Sequence, residues 1–588
     1  MSWTQEVNPF HNIALSAIIA SIPLIFIFWA LIIRKMKGYL ASLLTTIVAI
    51  LVAILAYGMP LKLSLLSVIH GALYGFFPIC WIIISAVFLY NVSVKSGQFE
   101  IIKSFMASVT NDRRLQALLI AFSFGSFLEG AAGMGAPVAI TSAMLAGMGF
   151  NPLYAAGICL IANTAPVAFG SAGVPIIIAS QVSGLPEMAI SQMVGRTLPV
   201  LAIIVPFYLV ILMAGFKRSI EVLPAILLSG IVFAIVQWFV SNYLGPMLPS
   251  LIAGFASIVC LMVFLKFWKP KSIWRFDDEA PQISDKVTKY SNAEIIRAWS
   301  PFLIMTVIII IWGFQPVKDT LNSIGQIKFY IPGLQNSIVN SDGSPLLIKP
   351  FDLNYLSSSG SAMLLAVIIS LPLIGMSLKE GVKVYIATLY QLRFTIITIS
   401  SIVGFAFMAN NSGISITMAL ALASTGKLFP FFSPILGWLG VFMTGSDASS
   451  NALFCKLQRA SSEAIGIDPL ITVSANATGG VVGKMISPQS IAVGVASIGL
   501  VGKESELFRF TLKHSFIMLF IICIITLLQA YVIKWITPAY NILEESTMVH
   551  KANATTGFIY LIFLAITLLI IAFSVLLLNR RTIKTAQR

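Results

Sequence analysis

The stretch ANATGGVVGKMISPQ (475–489) lies inside an apolar run, 412–499, that is long enough to cross a membrane yet is full of Gly, Pro, Ser and Asn. An unbroken spanning helix has no use for three glycines, a proline and a charged Lys484 within so few residues. Non-helical backbone is tolerated at membrane depth only where protein or a polar cavity satisfies its N–H and C=O groups. A second run, 115–182, has the same character and carries ANTAPVAFGS (162–171). Both are expected to be broken helices or re-entrant hairpins, in preference to ordinary helices with small-residue packing faces.

The rest of the chain fits a membrane. Of its 588 residues, 58% are hydrophobic and 10% charged, and the mean hydropathy is +0.94. Clear spans are expected near 12–33, 39–57, 62–94, 197–216, 219–242, 246–267, 298–315, 354–376, 382–409, 511–537 and 557–579, each long enough for a hydrocarbon core of about 30 Å. The net charge of +15 gathers in short loops (Arg34, Lys35, Lys37; Arg113, Arg114; Lys217, Arg218; Lys379, Lys383; Arg580, Arg581), as the positive-inside rule requires of cytoplasmic loops. No contiguous basic, aromatic-rich stripe suggests nucleic acid. The five cysteines all fall in apolar segments and suit neither a disulfide framework nor a zinc site. The N-terminus has no basic region and cleavage site of the kind that marks a removable signal peptide. Charge placement puts the N-terminus outside, a polar linker 268–296 and the C-terminus in the cytoplasm, and the loop 316–353 outside.

Two halves match weakly but in order. Ser96-Gly97 recurs as Ser412-Gly413, and Gly149-Phe150-Asn151-Pro152-Leu153 as Gly466-Ile467-Asp468-Pro469-Leu470. Asn163 pairs with Asn476, Gly170 with Gly483, Pro175 with Pro488 and Arg196 with Arg509, all at an offset of 313. Span 62–94 ends on basic residues while 382–409 begins on them, and 197–216 relates to 511–537 in the same way. The repeats are therefore inverted. The expected fold is all-α and polytopic, with inverted repeats at 62–218 and 382–540. Helices at 1–61, connecting helices at 219–381 and an added span within 541–588 surround them. Such symmetry with interrupted helices points to a transporter whose substrate sits near the midplane.

Charged residues within the spans are few, which makes each informative. Glu129 and Asp447 fall at similar places in the two halves. Burial favours the neutral form of a carboxyl, so either acid is a candidate proton carrier; the alternative is a helix cap or a structural hydrogen bond. Lys484 among Gly479, Gly480 and Gly483 suggests an anion site, an ammonium beside free N–H groups, with Gly130 as the counterpart beside Glu129. The alternatives for Lys484 are an ion pair with Asp447 or a head that reaches the surface. Asn163, Ser171 and Ser487 offer amide and hydroxyl groups for a substrate hydroxyl, although Asn163 and Asn476 equally suit broken backbone. His70, His514 and Arg393 read as structural or interfacial, and Lys456, Arg459 and Glu463 as helix-face pairing. There is no P-loop and no H-E-x-x-H, so ATP hydrolysis and zinc peptidase chemistry have no support.

The stretches FLEGAAGMGAPVAIT (127–141), NPLYAAGICLIANTAPVAFGSAG (151–173), FFSPILGWLGVFMTGSDASSNALF (431–454), NATGGVVGKMISPQSIA (476–492) and LVGKESELFRFTLKHS (500–515) resemble the bacterial L-lactate permease family. The likeness runs from about residue 3 to 538. It implies symport of lactate with a proton across the cytoplasmic membrane, with D-lactate and glycolate as further substrates, and no cofactor beyond the co-transported proton. Glu129, Asn163, Asp447, Asn451, Asn476, Lys484 and Gln489 lie inside matched motifs, and the resemblance extends a role in the site to them. Span 557–579 lies beyond the usual end of the family. A passive anion channel, a membrane-embedded enzyme, and a carrier for gluconate or a dicarboxylate are the competing readings. The enzyme lacks a nucleophile–base or metal constellation, and a single lysine suits one carboxylate better than two.

Overall fold

The computed structural model describes residues 2–34, 36–133, 135–276, 290–340, 345–346, 348–424, 426–500 and 503–541. The expected span 557–579 and the middle of the linker, 277–289, lie outside them. Among the described residues, nine helices are long and apolar enough to cross a membrane. The number rises to eleven if each of two sharply bent pairs counts as one span. The helix Gly38–Leu55 shows why lipid must surround them. It turns Ala41, Thr45, Ala49 and Ala53 inward and exposes Leu43, Ile47, Leu51 and Leu55, so its outer face suits hydrocarbon and not water.

The inverted repeats are visible as helix directions. Leu61–Lys95 and its counterpart Leu378–Asn411 lie side by side and antiparallel. Asn91 donates to Thr388 Oγ1 at one end (2.9 Å), and Asn411 donates to Ser67 Oγ at the other (3.0 Å). A methyl group on Gly71 would meet the Val403 carbonyl oxygen at 2.4 Å, so only glycine allows this approach. The long helices Glu187–Ile220 and Glu504–Tyr531 are also antiparallel: Gln529 donates to Thr197 Oγ1 (2.8 Å), and Tyr208 meets His514 much further along. At each repeat's first turn, Gly97 and Gly413 adopt φ of +76° and +90°, a region that non-glycine residues avoid. Each is followed by a ten-residue helix, Gln98–Ala107 and Ile414–Ala423.

Each repeat then contains a hairpin and a broken span. The first hairpin is Gly125–Ala131 and Ala136–Gly147; the second is Phe429–Thr444 and Asp447–Ala464. The first broken span is Pro152–Ala162 and Val167–Ser183, bent by 71° at the break 163–166, with the short turn Val167–Phe169 opening the second arm. Its counterpart is Pro469–Gly483 and Pro488–Ser497, interrupted by the turn Lys484–Ile486. Proline opens three of these half-helices at the first position, where its missing N–H costs nothing.

Several boundaries differ from expectation. The span 62–94 bends at Gly75–Cys80, where Pro78 cannot donate to the ladder. The span expected at 354–376 is the shorter helix Ser359–Leu373. The linker ends by Ser291, whose hydroxyl and Glu294 form a capping box that starts Asn292–Gly313. Within it, Trp274 N–H donates to Asp112 and Phe276 packs on Phe150. The loop 316–353 is structured: it holds the end of helix Gln315–Gly325 and two small ladders. Ile327–Phe329 pairs antiparallel with Phe351–Leu353, and Ile338–Val339 pairs in parallel with Trp3–Thr4 at the N-terminus.

Candidate functional site

The first hairpin (through Glu129), the tip of the second hairpin and the two helix breaks line one central cavity of about 1060 Å³. Glu129, near the end of the first arm of the first hairpin, lines it. So do Asp447, at the start of the second arm of the other hairpin, and Lys484, in the break of the second broken span. Ser171 and Gln489 complete the group of sequence-selected residues in the wall. All three charged side chains are at least 90% buried.

Lys484 Nζ lies 2.6 Å from Glu129 Oε1. The pair joins the two repeats; the ion pair open to Lys484 on sequence grounds, as an alternative to anion binding, was with Asp447, and the partner is Glu129 instead. The other oxygen of Glu129 accepts from Asn163 Nδ2 at 3.0 Å. Neither oxygen of Asp447 meets a hydrogen-bond donor in normal geometry. Its near neighbour one turn along, Asn451, gives its amide to the Pro175 carbonyl at 3.0 Å. Both acids are seated against glycine. A methyl on Gly170 would meet Glu129 Oε1 at 2.5 Å, and one on Gly480 would meet Asp447 Oδ1 at 2.1 Å.

The backbone beside Ser171 is unusual. Ser171 and Ala172 adopt φ of +45° and +54°, a left-handed conformation that costs a non-glycine residue about 1 kcal/mol or more and clusters at functional sites. The Ser171 hydroxyl donates to the Ala132 carbonyl at 3.0 Å, fastening the first hairpin tip to the helix break.

Other selected residues have different employment. Asn476 donates to Asn451 Oδ1 (2.9 Å) and accepts from Gln458 (3.2 Å), a fully buried network away from the cavity wall. Ser487 caps the helix Pro488–Ser497 by accepting from Ser490 N–H. The glycines expected to offer free N–H groups lie within helices, where the ladder uses those groups. Gly479 and Gly483 let that helix approach Pro434 and Trp438, and Gly130 sits against Leu251. The lysine stands after its glycine helix and not at a helix start, which is why the sequence reading misplaced the donors. Arg393 lies over the Tyr390 and Phe394 rings, and His70 packs on Tyr74 and Phe407. Arg459 pairs with Glu463 at 2.7 Å on one helix face.

The cavity lining also includes Lys37, Tyr39, Thr395, Thr398, Glu504 and Arg509, none of them a site candidate on sequence grounds. Lys37 immediately precedes the helix Gly38–Leu55, and Arg509 lies near the start of Glu504–Tyr531. Among the described residues no cluster of His, Cys, Asp and Glu could hold a metal ion.

The chain resembles known proteins over nearly its whole length. Residues 16–533 match the family described as L-lactate permease. It is 51% identical over 564 residues to an L-lactate permease of Bacillus subtilis, covering 92% of this chain and 100% of that one. It is 49% identical over 550 residues to an L-lactate permease of Salmonella typhimurium, covering 91% and 100%. It is also 50% identical over 554 residues to the glycolate permease GlcA of Escherichia coli, covering 90% and 99%.

Proposed function

The chain belongs to the L-lactate permease family, a multi-pass membrane transporter and not an enzyme, and from that premise we propose that it takes up L-lactate, with D-lactate and glycolate as further substrates, by symport with one proton. The membrane is the bacterial cytoplasmic membrane, with the N-terminus outside and the C-terminus in the cytoplasm. The names of its relatives support the substrate class, because both lactate and glycolate permeases are about half identical to it. The observation that carries the coupling is the Lys484–Glu129 ion pair across the repeats.

Lactate is an anion at neutral pH. Moving it inward alone against the membrane potential costs about 2.3 kcal/mol per 100 mV. A proton carried with it removes that cost. The site contains two carboxyls and one ammonium. A buried carboxyl without a donor is far better accommodated neutral than charged, so we assign Asp447 a resident proton. When the site is empty, Lys484 balances ionised Glu129. When it is loaded, the substrate carboxylate takes the place of Glu129 on Lys484 and the incoming proton sits on Glu129. The net charge of the site is the same in both states, which gives one proton per lactate. Ser171 and Gln489 in the wall read the substrate hydroxyl.

The test is uptake of labelled L-lactate into vesicles reconstituted with the protein. Accumulation above the external concentration is expected with an inward proton gradient, and only equilibration without one. Lactate uptake to equilibrium alone under both conditions would make the protein a facilitator.

A further inference from the structure

Arg196 and Arg509 occupy matching positions near the starts of the two antiparallel long helices, 313 residues apart. Their surroundings differ. Arg196 Nη1 donates to the Ile536 carbonyl at 2.6 Å and Nε to Asn242 Oδ1 at 2.9 Å. It thereby ties the first long helix to the segment that follows the second. Arg509 makes no such tie. It is exposed, lines the central cavity and has no hydrogen bond or ion pair among the described residues. The two copies of one structural unit thus hold the same arginine in two states, fastened in one repeat and released in the other.

We propose that Arg196 and Arg509 are twin mouth residues, each docking the substrate carboxylate when its own side is open and fastening that mouth when it is closed. This rests on the carrier reading above. The structure then corresponds to the form open at the Arg509 mouth, which charge placement assigns to the cytoplasm. In the opposite form Arg509 is fastened and Arg196 lines the outer vestibule. Arginine suits both tasks, because its fixed fork of donors binds a carboxylate in two-point fashion and also satisfies backbone carbonyls. Repeats that exchange conformations across an inverted axis supply the alternation.

The experiment measures half-saturation for L-lactate separately at each face, in right-side-out and inside-out vesicles of the full chain. Arg509→Gln is expected to raise it about tenfold at the cytoplasmic face and to leave the outer face within twofold. Arg196→Gln is expected to do the reverse. A carrier does not alter the equilibrium across the membrane, so the ratio of maximal rates shifts by the same factor. Arg→Lys at each site retains the charge and recovers part of the affinity; it also decides the matter if either Gln variant fails to give monodisperse protein. Equal effects at both faces, or none at either, would overturn the twin role. Wild-type vesicles that move no lactate would instead overturn the carrier reading itself.

Discussion

Lys484 Nζ lies 2.6 Å from Glu129 Oε1, and the two residues come from opposite repeats. A buried ion pair is a poor source of stability but a costly thing to half-remove, since the remaining charge is left without a partner. Here it lines the central cavity, with Lys484 in the break of the second broken span and Glu129 against Gly170 beside the break of the first. In the proposed mechanism an incoming carboxylate competes with Glu129 for one ammonium, which would couple occupancy to the charge on the acid.

Lys484→Met leaves Glu129 stranded and is expected to lower stability by about 3–5 kcal/mol. The double variant Glu129→Gln with Lys484→Met removes both charges and should regain most of that loss. Lactate uptake should be absent in both. Thermal unfolding in detergent, paired with uptake, checks this. If the double variant is no more stable than the single one, the pair is not a mutual neutralisation.

Gly480→Ala places a methyl 2.1 Å from Asp447 Oδ1. The helix is packed on both sides and has nowhere to move, so overpacking of about 1–3 kcal/mol is expected, along with loss of transport as Asp447 is displaced. Gly147→Ala is the control, because nothing lies within 4 Å of the added carbon. Its uptake should match wild type.

Asn476→Ala removes the donor to Asn451 and the acceptor of Gln458. Leaving buried polar groups unpaired costs about 1–3 kcal/mol. Since the network stands away from the cavity wall, half-saturation for lactate should stay within twofold. A large change in half-saturation with unchanged stability would return Asn476 to the binding site.

Much of this was legible in the sequence because membrane physics leaves few choices. Apolar runs of sufficient length, basic loops and a constant offset of 313 between Asn163 and Asn476 or Pro175 and Pro488 are enough to imply spans and inversion. The acids and Lys484 stood out because charge in such a setting is rare. The partner of Lys484 was not legible. Glu129 is 355 residues away, and only the folding of one repeat against the other brings them together. The glycine roles were misread for a related reason: a glycine that frees an N–H and a glycine that admits a neighbouring helix look the same in one dimension. The mouth residue Arg509 was visible only as a repeat match, with nothing to show that its twin Arg196 is fastened.

The most direct test is lactate transport by the Glu129→Gln and Asp447→Asn variants in reconstituted vesicles. Counterflow exchange and accumulation driven by an imposed pH gradient are measured on the same preparations. Glu129→Gln mimics the protonated acid, so exchange is expected to persist while gradient-driven accumulation disappears. Asp447→Asn mimics an acid that is neutral throughout, so both should persist. Accumulation by Glu129→Gln at the wild-type level would contradict the assignment of the moving proton to Glu129.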